Sequence, residues 1–551
     1  MADAVGEDVR AGSAADREAA KPKLSFGAQL SVMARAWPAV AAVAAAIVLI
    51  APIWVVAMPA MPDLPAHLAC FFLLAGGIHN PDLAHFYRVD WQFVPNLASE
   101  ISVPFLAHFL GLLPAAKLFL SLAVALWVLG AAAIQKALFG RVGVLALLAA
   151  FFAYNANFFW GFMNYDFAAG LGLMTFAAWI ATAKWPRAPR LALFAAGVTV
   201  VYFCHLFAAA VLMLMIGCFE LGELISSGTL FSRRTLARGV DMALLVVPSA
   251  LAFFLLKPKA ADGGHLEFNF LDTWDDRIGA AFQSRFDEPG YIVIALLALF
   301  WSIGIWRGWL RVHPSMRFVV LALFACVVLM PEWALGGWGV DLRMPAVLGA
   351  VAFASAELRL APRWQSAVAA SALIALAVGA AAAGGNWYYY DRQYAEFRAA
   401  IQKSPAGTRI MMALDGDAMG ETSDQPYWHM AEFAILDRDG FSPLLFTTAG
   451  QHVVRVEPRF QPIAAATAQQ GSPPDVGELG DLAANQVDGD KNIPQEFPYL
   501  MLFQCHFDEV AVIRSGGKAS PVPRDLLRLR HRGSFFDLYD VRRDDACTRG
   551  A

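Results

Sequence analysis

Asp63 and His67 stand four residues apart in MPDLPAHLA, directly after the first long apolar stretch of the chain. With Pro65 at an early helical turn, that spacing puts both side chains on one helix face. A carboxylate beside an imidazole can serve as a general base, because the anion holds the ring's tautomer and raises its basicity. The same pattern also describes a helix N-cap with an unrelated histidine nearby. The phrase partly recurs as PDLAHFY at 81–87, which makes Asp82 and His85 a second pair of this kind. Matches that short also arise by chance in an Ala- and Leu-rich chain.

Further polar residues sit at the ends of apolar runs: Asn96, Asn164 and Asp166, His205, Glu332, Asp341 and Arg343. Each has a bland reading beside its chemical one. Asn164 and Asp166 lie in the aromatic-rich WGFMNYDF, which is also what an interfacial belt looks like. His205 is either an internally bonded histidine or a site residue. Arg343 either grips a phosphate through its planar fork or pairs with Asp341. Their shared position along the membrane normal is what gives them weight, and that depends on the elements that carry them.

Those elements are membrane spans. Of 551 residues, 58% are hydrophobic and only 16% charged, with a mean hydropathy of +0.50. Soluble chains carry about 25% charged residues, so much of this chain has no water to face. A net charge of −4, with no basic cluster interleaved with aromatics, excludes a nucleic-acid partner. The six cysteines include no C-x-x-C. Cys204, Cys218 and Cys326 lie in apolar runs and read as small buried hydrophobes. Residues 1–30 have no apolar core and read as a disordered cytoplasmic tail rather than a signal peptide.

Spans of about 20 apolar residues are expected near 37–60, 116–138, 142–159, 163–183, 240–257, 290–306, 317–331, 343–357 and 364–384. The run from Leu191 to Ile225 is too long for one span and slightly short for two. Charge decides it, since short cytoplasmic loops collect Lys and Arg. Lys184, Arg187 and Arg190 precede the run; Arg233, Arg234 and Arg238 follow it. Both sets are inside only if the chain crosses twice, so we split the run at Cys204–His205, with His205 at the outer turn. Arg307, Arg311 and Arg317, then Arg359 and Arg363, mark further inner loops. About eleven spans result, in a membrane domain over 31–385, with the N-terminus cytoplasmic. The loops left outside are acidic: 61–115 holds Asp63, Asp82, Asp90 and Glu100, and 258–289 holds Asp262, Glu267, Asp272, Asp275, Asp276, Asp287 and Glu288. Two residue classes agree on one topology.

Within the long first outer loop, 66–78 and 101–113 are helices too short to span, of the sort that lies along a membrane surface. After Gly385 the composition changes. RIMMALDG, EVAVIRS and SFFDLYDV read as strands, YAEFRAAIQ and HMAEFAIL as helices, and 456–494 as a long loop. Residues 386–551 are therefore expected to form an exterior α/β domain. An oxidising exterior would permit a disulfide between its two cysteines, Cys505 and Cys547.

The order DLPAHLA, YRVDWQFVPNLASEISVPFLA, WGFMNYDFAAGLGL, YFCHLFAAA and VDLRMPAVL resembles a set of bacterial multi-span proteins related to the GT-C glycosyltransferases, over about residues 60–360. That resemblance implies a GT-C-like polytopic α-helical fold in the bacterial inner (plasma) membrane, with the C-terminal domain periplasmic. It implies an inverting transfer of sugar from a polyprenyl-phosphate donor to an envelope acceptor on the exterior face. By position Asp63 matches the acidic residue of the family's first outer loop, with His67 beside it. His205, Arg343, Asn96, Asn164 and Asp82 then become substrate-binding candidates. The family's paired D-x-D, E-x-D or D-E signature is missing here, since Asp63, Asp82 and Asp90 are well separated. A bound divalent metal is left open by that departure, as is a non-catalytic relative serving polysaccharide assembly. A lipid or sugar transporter is the remaining alternative, although no two-fold repeat of interrupted helices is visible. Sugar, carrier, acceptor and protein partners are not written in the sequence.

Overall fold

The computed structural model describes residues 26–256, 266–268, 274–285, 288–415, 423–467, 470–484, 496–514, 522–544 and 547. The expected tail over 1–25, the outer-loop acids Asp262, Asp272 and Asp287, and the loop segment 485–494 lie outside the described residues. Among the described residues, six helices are long and apolar enough to cross a membrane: Ala36–Val55 within Phe26–Val55, then Leu112–Phe139, Arg187–Cys204, Leu206–Ser226, Arg233–Leu256 and Pro362–Ile401. Met163–Ala181, Met316–Leu329 and Met344–Ala354 pack among them, while Tyr291–Trp306 is mostly exposed, with only Leu297 and Gly304 buried. The chain is a multi-pass helical membrane protein.

The ambiguous apolar run is broken where charge required. One helix ends at Cys204, the next starts at Leu206, and His205 between them is extended (φ −165°, ψ 127°). The basic loops gather at the opposite end. Arg187 pairs with Asp241 at 2.6 Å and Arg238 with Glu220 at 3.1 Å, which ties the loop before the run to the loop after it. Leu310–Val312 pairs antiparallel with Ala356–Leu358, joining the two later basic loops. Arg141 meets Glu357 at the same end.

The expected span over 142–159 is not one helix. It is Leu145–Ala149, a 3-10 turn over Ala150–Ala153, and Ala156–Trp160. Asn155 breaks it: its backbone is extended and its side chain accepts from the Phe158 amide, restarting the helix. Irregular backbone at membrane depth is tolerated where protein surrounds it, and residues 144–159 are buried throughout.

Pro362–Ile401 runs 40 residues without interruption, about 60 Å at 1.5 Å per residue. That is twice the hydrocarbon thickness of about 30 Å, so the composition change after Gly385 is not a structural break. Its last turns pack Tyr390 and Tyr394 against Tyr427 and Phe433. Beyond it lies a four-stranded sheet in the order Ile410–Leu414, Glu509–Ile513, Phe536–Val541, Leu527–Arg532, with the first pair parallel and the others antiparallel. IMMAL and EVAVI are buried at every position, as apolar strands inside a layered fold must be, and the one charged residue among them, Glu509, is held by Ser404 and Arg530. LRLRHR is the edge, and its cationic residues discourage pairing with another chain. Cys505 and Cys547 are disulfide-bonded.

The loop after the first membrane helix is part of this layer. Tyr87–Val89 pairs antiparallel with Val454–Val456. Ala69, Cys70, Leu73, Leu83 and Phe86 share one core with Met411, Ile435, Phe441, Val510 and Tyr539. Leu64–Leu74, expected on the membrane surface, is instead buried along most of its length. Its apolar residues run all round the helix, and such a helix is stable only inside a protein. Ala98–Leu110 differs: Ile101, Phe105 and Phe109 are exposed at four-residue spacing, the stripe that an interfacial helix turns to lipid.

Candidate functional site

A cavity of about 560 Å³ opens at the end of the bundle remote from the basic loops. Asp63, His67, Asn96, Asn164, His205 and Arg343 all line it. Asp82 does not. It is exposed in the first turn of Pro81–Phe86, where its amide is capped by Asn80, and His85 turns to Arg459 and Phe460 instead. The partial repeat of the Asp63 phrase marks a second helix start, not a second half of the site.

Asp63 follows the first membrane helix, and its amide donates to the Trp160 carbonyl at 3.1 Å. Gly161 permits this approach: at φ +93° it takes a left-handed conformation, and a Cβ there would stand 3.2 Å from that of Asp63. The Asp63 carboxylate has no hydrogen bond or ion pair among the described residues. Burial raises its pKa to about 7, against the opposing charge of His429. His67 is not its partner. The His67 ring stacks on Phe71 and meets Phe446 edge-on. Burial, followed by the charges of His452 and His429, holds its pKa at about 3, so the ring is neutral. The helix spacing does place both residues in one cavity, but among the described residues no hydrogen bond or ion pair joins the imidazole to the carboxylate.

Arg343 begins the Met344–Ala354 helix, and its guanidinium lies among the rings of Phe162, Tyr165 and Phe207 at 5.3–5.4 Å. It is 7% exposed, and its Nε and Nη1 have no hydrogen-bond partner. The pairing with Asp341 that the sequence allows is pre-empted, because Asp341 meets Arg277 at 3.1 Å with both side chains buried. The backbone is fixed from behind: Tyr165 Oη donates to the Arg343 carbonyl at 2.8 Å, and Asn157 Nδ2 to that of Leu342 at 3.1 Å. A buried cation with unused donors is costly unless something anionic visits it. His205 stands beside it, packed edge-on against Tyr165, with Nδ1 also unpartnered.

Asn164 is structural. Its Oδ1 accepts from the Ser99 amide at 2.7 Å, and its Nδ2 donates to the Asn96 carbonyl and to Glu100. It thereby caps Ala98–Leu110 from a neighbouring helix. Asn96 reaches the Gln451 carbonyl at 3.4 Å.

The wall that sequence reasoning missed comes from beyond residue 400. Gln425, Trp428, His429, Gln451 and His452 all line the cavity. His67, His429 and His452 surround the Phe446 ring, with centroids 5.0, 4.9 and 5.3 Å away. Trp160 is flanked by Trp338 at 4.9 Å and Trp428 at 5.7 Å, giving an aromatic wall. His429 Nδ1 lies 3.2 Å from Glu432 Oε1. That H-x-x-E spacing, in a segment read only as a helix, was the available signal. Three prospective metal-ligating atoms come within 4.8 Å of one another at Cys505, Asp544 and Cys547, where the two sulfurs are bonded to each other; the cavity acids and histidines are not so grouped among the described residues.

Fold and cavity together define a polytopic helical membrane protein that encloses a polar hollow at one end of its bundle. No protein-family model matches the chain, and no curated protein matches it. Among solved structures it is similar to ArnT from Cupriavidus metallidurans bound to undecaprenyl phosphate, with a TM-score of 0.47 and 13% identity over 91% of this chain and 97% of that one. The apo state of ArnT gives 0.45 and 12% over 86% and 92%. The arabinofuranosyltransferase AftD from Mycobacteria gives 0.45 and 15%, over 93% of this chain and 40% of that one. At such scores the functional reading rests on the cavity itself.

Proposed function

We propose that the chain is a membrane glycosyltransferase that moves a sugar from a polyprenyl-phosphate carrier to an envelope acceptor hydroxyl on the non-cytoplasmic face. The observation that carries this reading is two unpaired charged groups in one hollow: the buried Arg343 guanidinium with free donors, and the Asp63 carboxylate with none facing it at bonding distance. A guanidinium matches a phosphate bidentately, and His205 can donate a further hydrogen bond. A lipid phosphate is a good leaving group, so the protein needs only to steady its departing charge and to deprotonate the attacking hydroxyl. Asp63 is the base. Attack from the side opposite the phosphate inverts the anomeric carbon. The Trp160, Trp338 and Trp428 wall offers π faces to the C–H groups of a sugar ring.

The topology follows from the same reading: about eleven crossings in a bacterial plasma membrane, the N-terminus and basic loops cytoplasmic, and the layer over 386–551 periplasmic. A disulfide between Cys505 and Cys547 belongs on the oxidising side, in agreement with the charge bias. Donor lipid then enters from the membrane beside Ala98–Leu110, and the C-terminal layer covers the cavity and selects the acceptor.

Gly161 carries a prediction. Gly161→Val places a branched side chain at φ +93° against Asp63 and Met61. Displacement of the base by about 1 Å should lower kcat on the order of 10²-fold, with donor KM little changed because Arg343 is untouched. Steady-state kinetics of the two variants Gly161→Val and Gly161→Ala would show the larger effect in valine.

The reading itself is tested with the purified full chain in lipid nanodiscs, given a panel of radiolabelled polyprenyl-phosphate monosaccharides. Consumption of one donor with release of polyprenyl phosphate is expected. Binding of polyprenyl phosphate without consumption of any donor would instead make the chain a lipid-binding assembly component. Movement of intact donor across a sealed vesicle would make it a transporter.

A further inference from the structure

Asp63 lies near the start of the chain and the groups that face it lie near the end. Glu432 is fully buried, and its one side-chain partner among the described residues is His429. Its second oxygen, Oε2, has none. A carboxylate so placed is tolerable only beside a cation or as the neutral acid. With Nδ1 taken by Glu432, Nε2 is the ring nitrogen left for another partner, and His429 lines the same cavity as Asp63. Phe446 packs edge-on against the ring at 4.9 Å and fixes its plane.

We propose that His429, held by Glu432, is a positioning residue for Asp63: it stands as the cation that keeps the Asp63 carboxylate ionised and turned toward the acceptor. The C-terminal layer is then a component of the reaction centre and not only a cover. This deepens the function proposed above and rests on it for the role of Asp63 as base.

The charges around the pair support the assignment. His67 and His452 approach His429 across Phe446, and burial keeps both neutral, each with a pKa of about 3. The carboxyl groups that His429 meets are Glu432, at the end of the 3-10 helix that His429 precedes, and Asp63 from the loop after the first membrane helix. Burial lowers the His429 pKa, but the Glu432 charge and hydrogen bond, together with the Asp63 charge, outweigh it and raise the pKa above its ordinary value. The same attraction works on Asp63 in the opposite sense and favours its carboxylate form. Without it, burial alone would leave Asp63 protonated to a higher pH.

The test reads Asp63 directly, without substrate. Infrared difference spectra of the full chain in nanodiscs, taken against pH, contain the C=O stretch of each protonated carboxyl. The band lost in Asp63→Asn belongs to Asp63. His429→Gln should move its midpoint upward by about one pH unit, the low end of what an opposite charge contributes at close range. Glu432→Gln should move it the same way by less, and His429→Lys should return it toward wild type. In the variants that turn over donor, the acidic limb of kcat/KM should shift in parallel. An unmoved midpoint in both His429→Gln and Glu432→Gln overturns the proposal. Should His429→Gln fail to fold, Glu432→Gln and His429→Lys still decide it. A shifted midpoint in a chain that consumes no donor would sustain the electrostatic pairing and refute the transferase reading, so the two failures are distinguishable.

Discussion

Asp63→Asn is expected to lower kcat for sugar transfer by about 10²–10⁴-fold, the range that a positioned acid or base contributes. The amide keeps the shape and loses the proton acceptor. A drop of this size is otherwise easily mistaken for misfolding, and here the electrostatics separate the two. Burial raises the Asp63 pKa to about 7 in the folded chain, against about 3.9 when unfolded. A group whose folded pKa is raised favours the fold in its protonated form. For a carboxylate, the ionised form is then a liability that grows as pH climbs from the unfolded value and is complete above about 7. Asp63→Asn removes that liability, so its melting temperature at pH 8 should equal or exceed that of wild type. The wild-type rate should rise with pH through about 7 as the base form appears. Equal rates in wild type and Asp63→Asn across that range would eliminate the base.

Arg343→Gln should cost nearly as much, about 10²–10³-fold in kcat/KM, the loss typical of deleting one donor to a developing negative charge. The cage of Phe162, Tyr165 and Phe207 is built for a flat cation. Arg343→Lys should therefore recover little, since an ammonium has neither the fork nor the stacking surface. Because the phosphate contact exists before and during transfer, donor KM should rise along with the fall in kcat. Polyprenyl phosphate should also become a poorer product inhibitor. A variant with unchanged product inhibition would place the phosphate elsewhere. Asp341 must not be altered alongside, because it balances Arg277 in the dry interior, and breaking such a pair costs about 3–5 kcal/mol.

Much of the membrane half was legible in the sequence because its physics is one-dimensional. Apolar length marked the long helices, and loop charge placed the break at His205, where the chain turns. That parity argument also brought Asp63, His205 and Arg343 to one end. What it could not supply was lateral packing. Whether Arg343 was free or paired depended on Arg277, 66 residues earlier in a separate segment, reaching Asp341 first. The continuous helix through Gly385 was hidden because a change in composition there reflects a change of solvent, not of backbone. The histidine facing Asp63 was sought four residues away and stands beyond residue 400, since contact across a layered core leaves no local period to read.

The antiparallel pairing of Tyr87–Val89 with Val454–Val456, and the Tyr87 hydroxyl that reaches Ser442 355 residues later, set a schedule for biogenesis. At about 5–20 residues per second, the ribosome needs roughly 18–71 s to supply that partner. For all that time Leu64–Leu74 has Ala98–Leu110 and Leu112–Phe139 beside it but lacks Met430–Arg438 and Val454–Val456, which cover its remaining apolar side. That side must rest on the bilayer or on a chaperone until the last quarter of the polypeptide arrives, and chains released early will leave it uncovered.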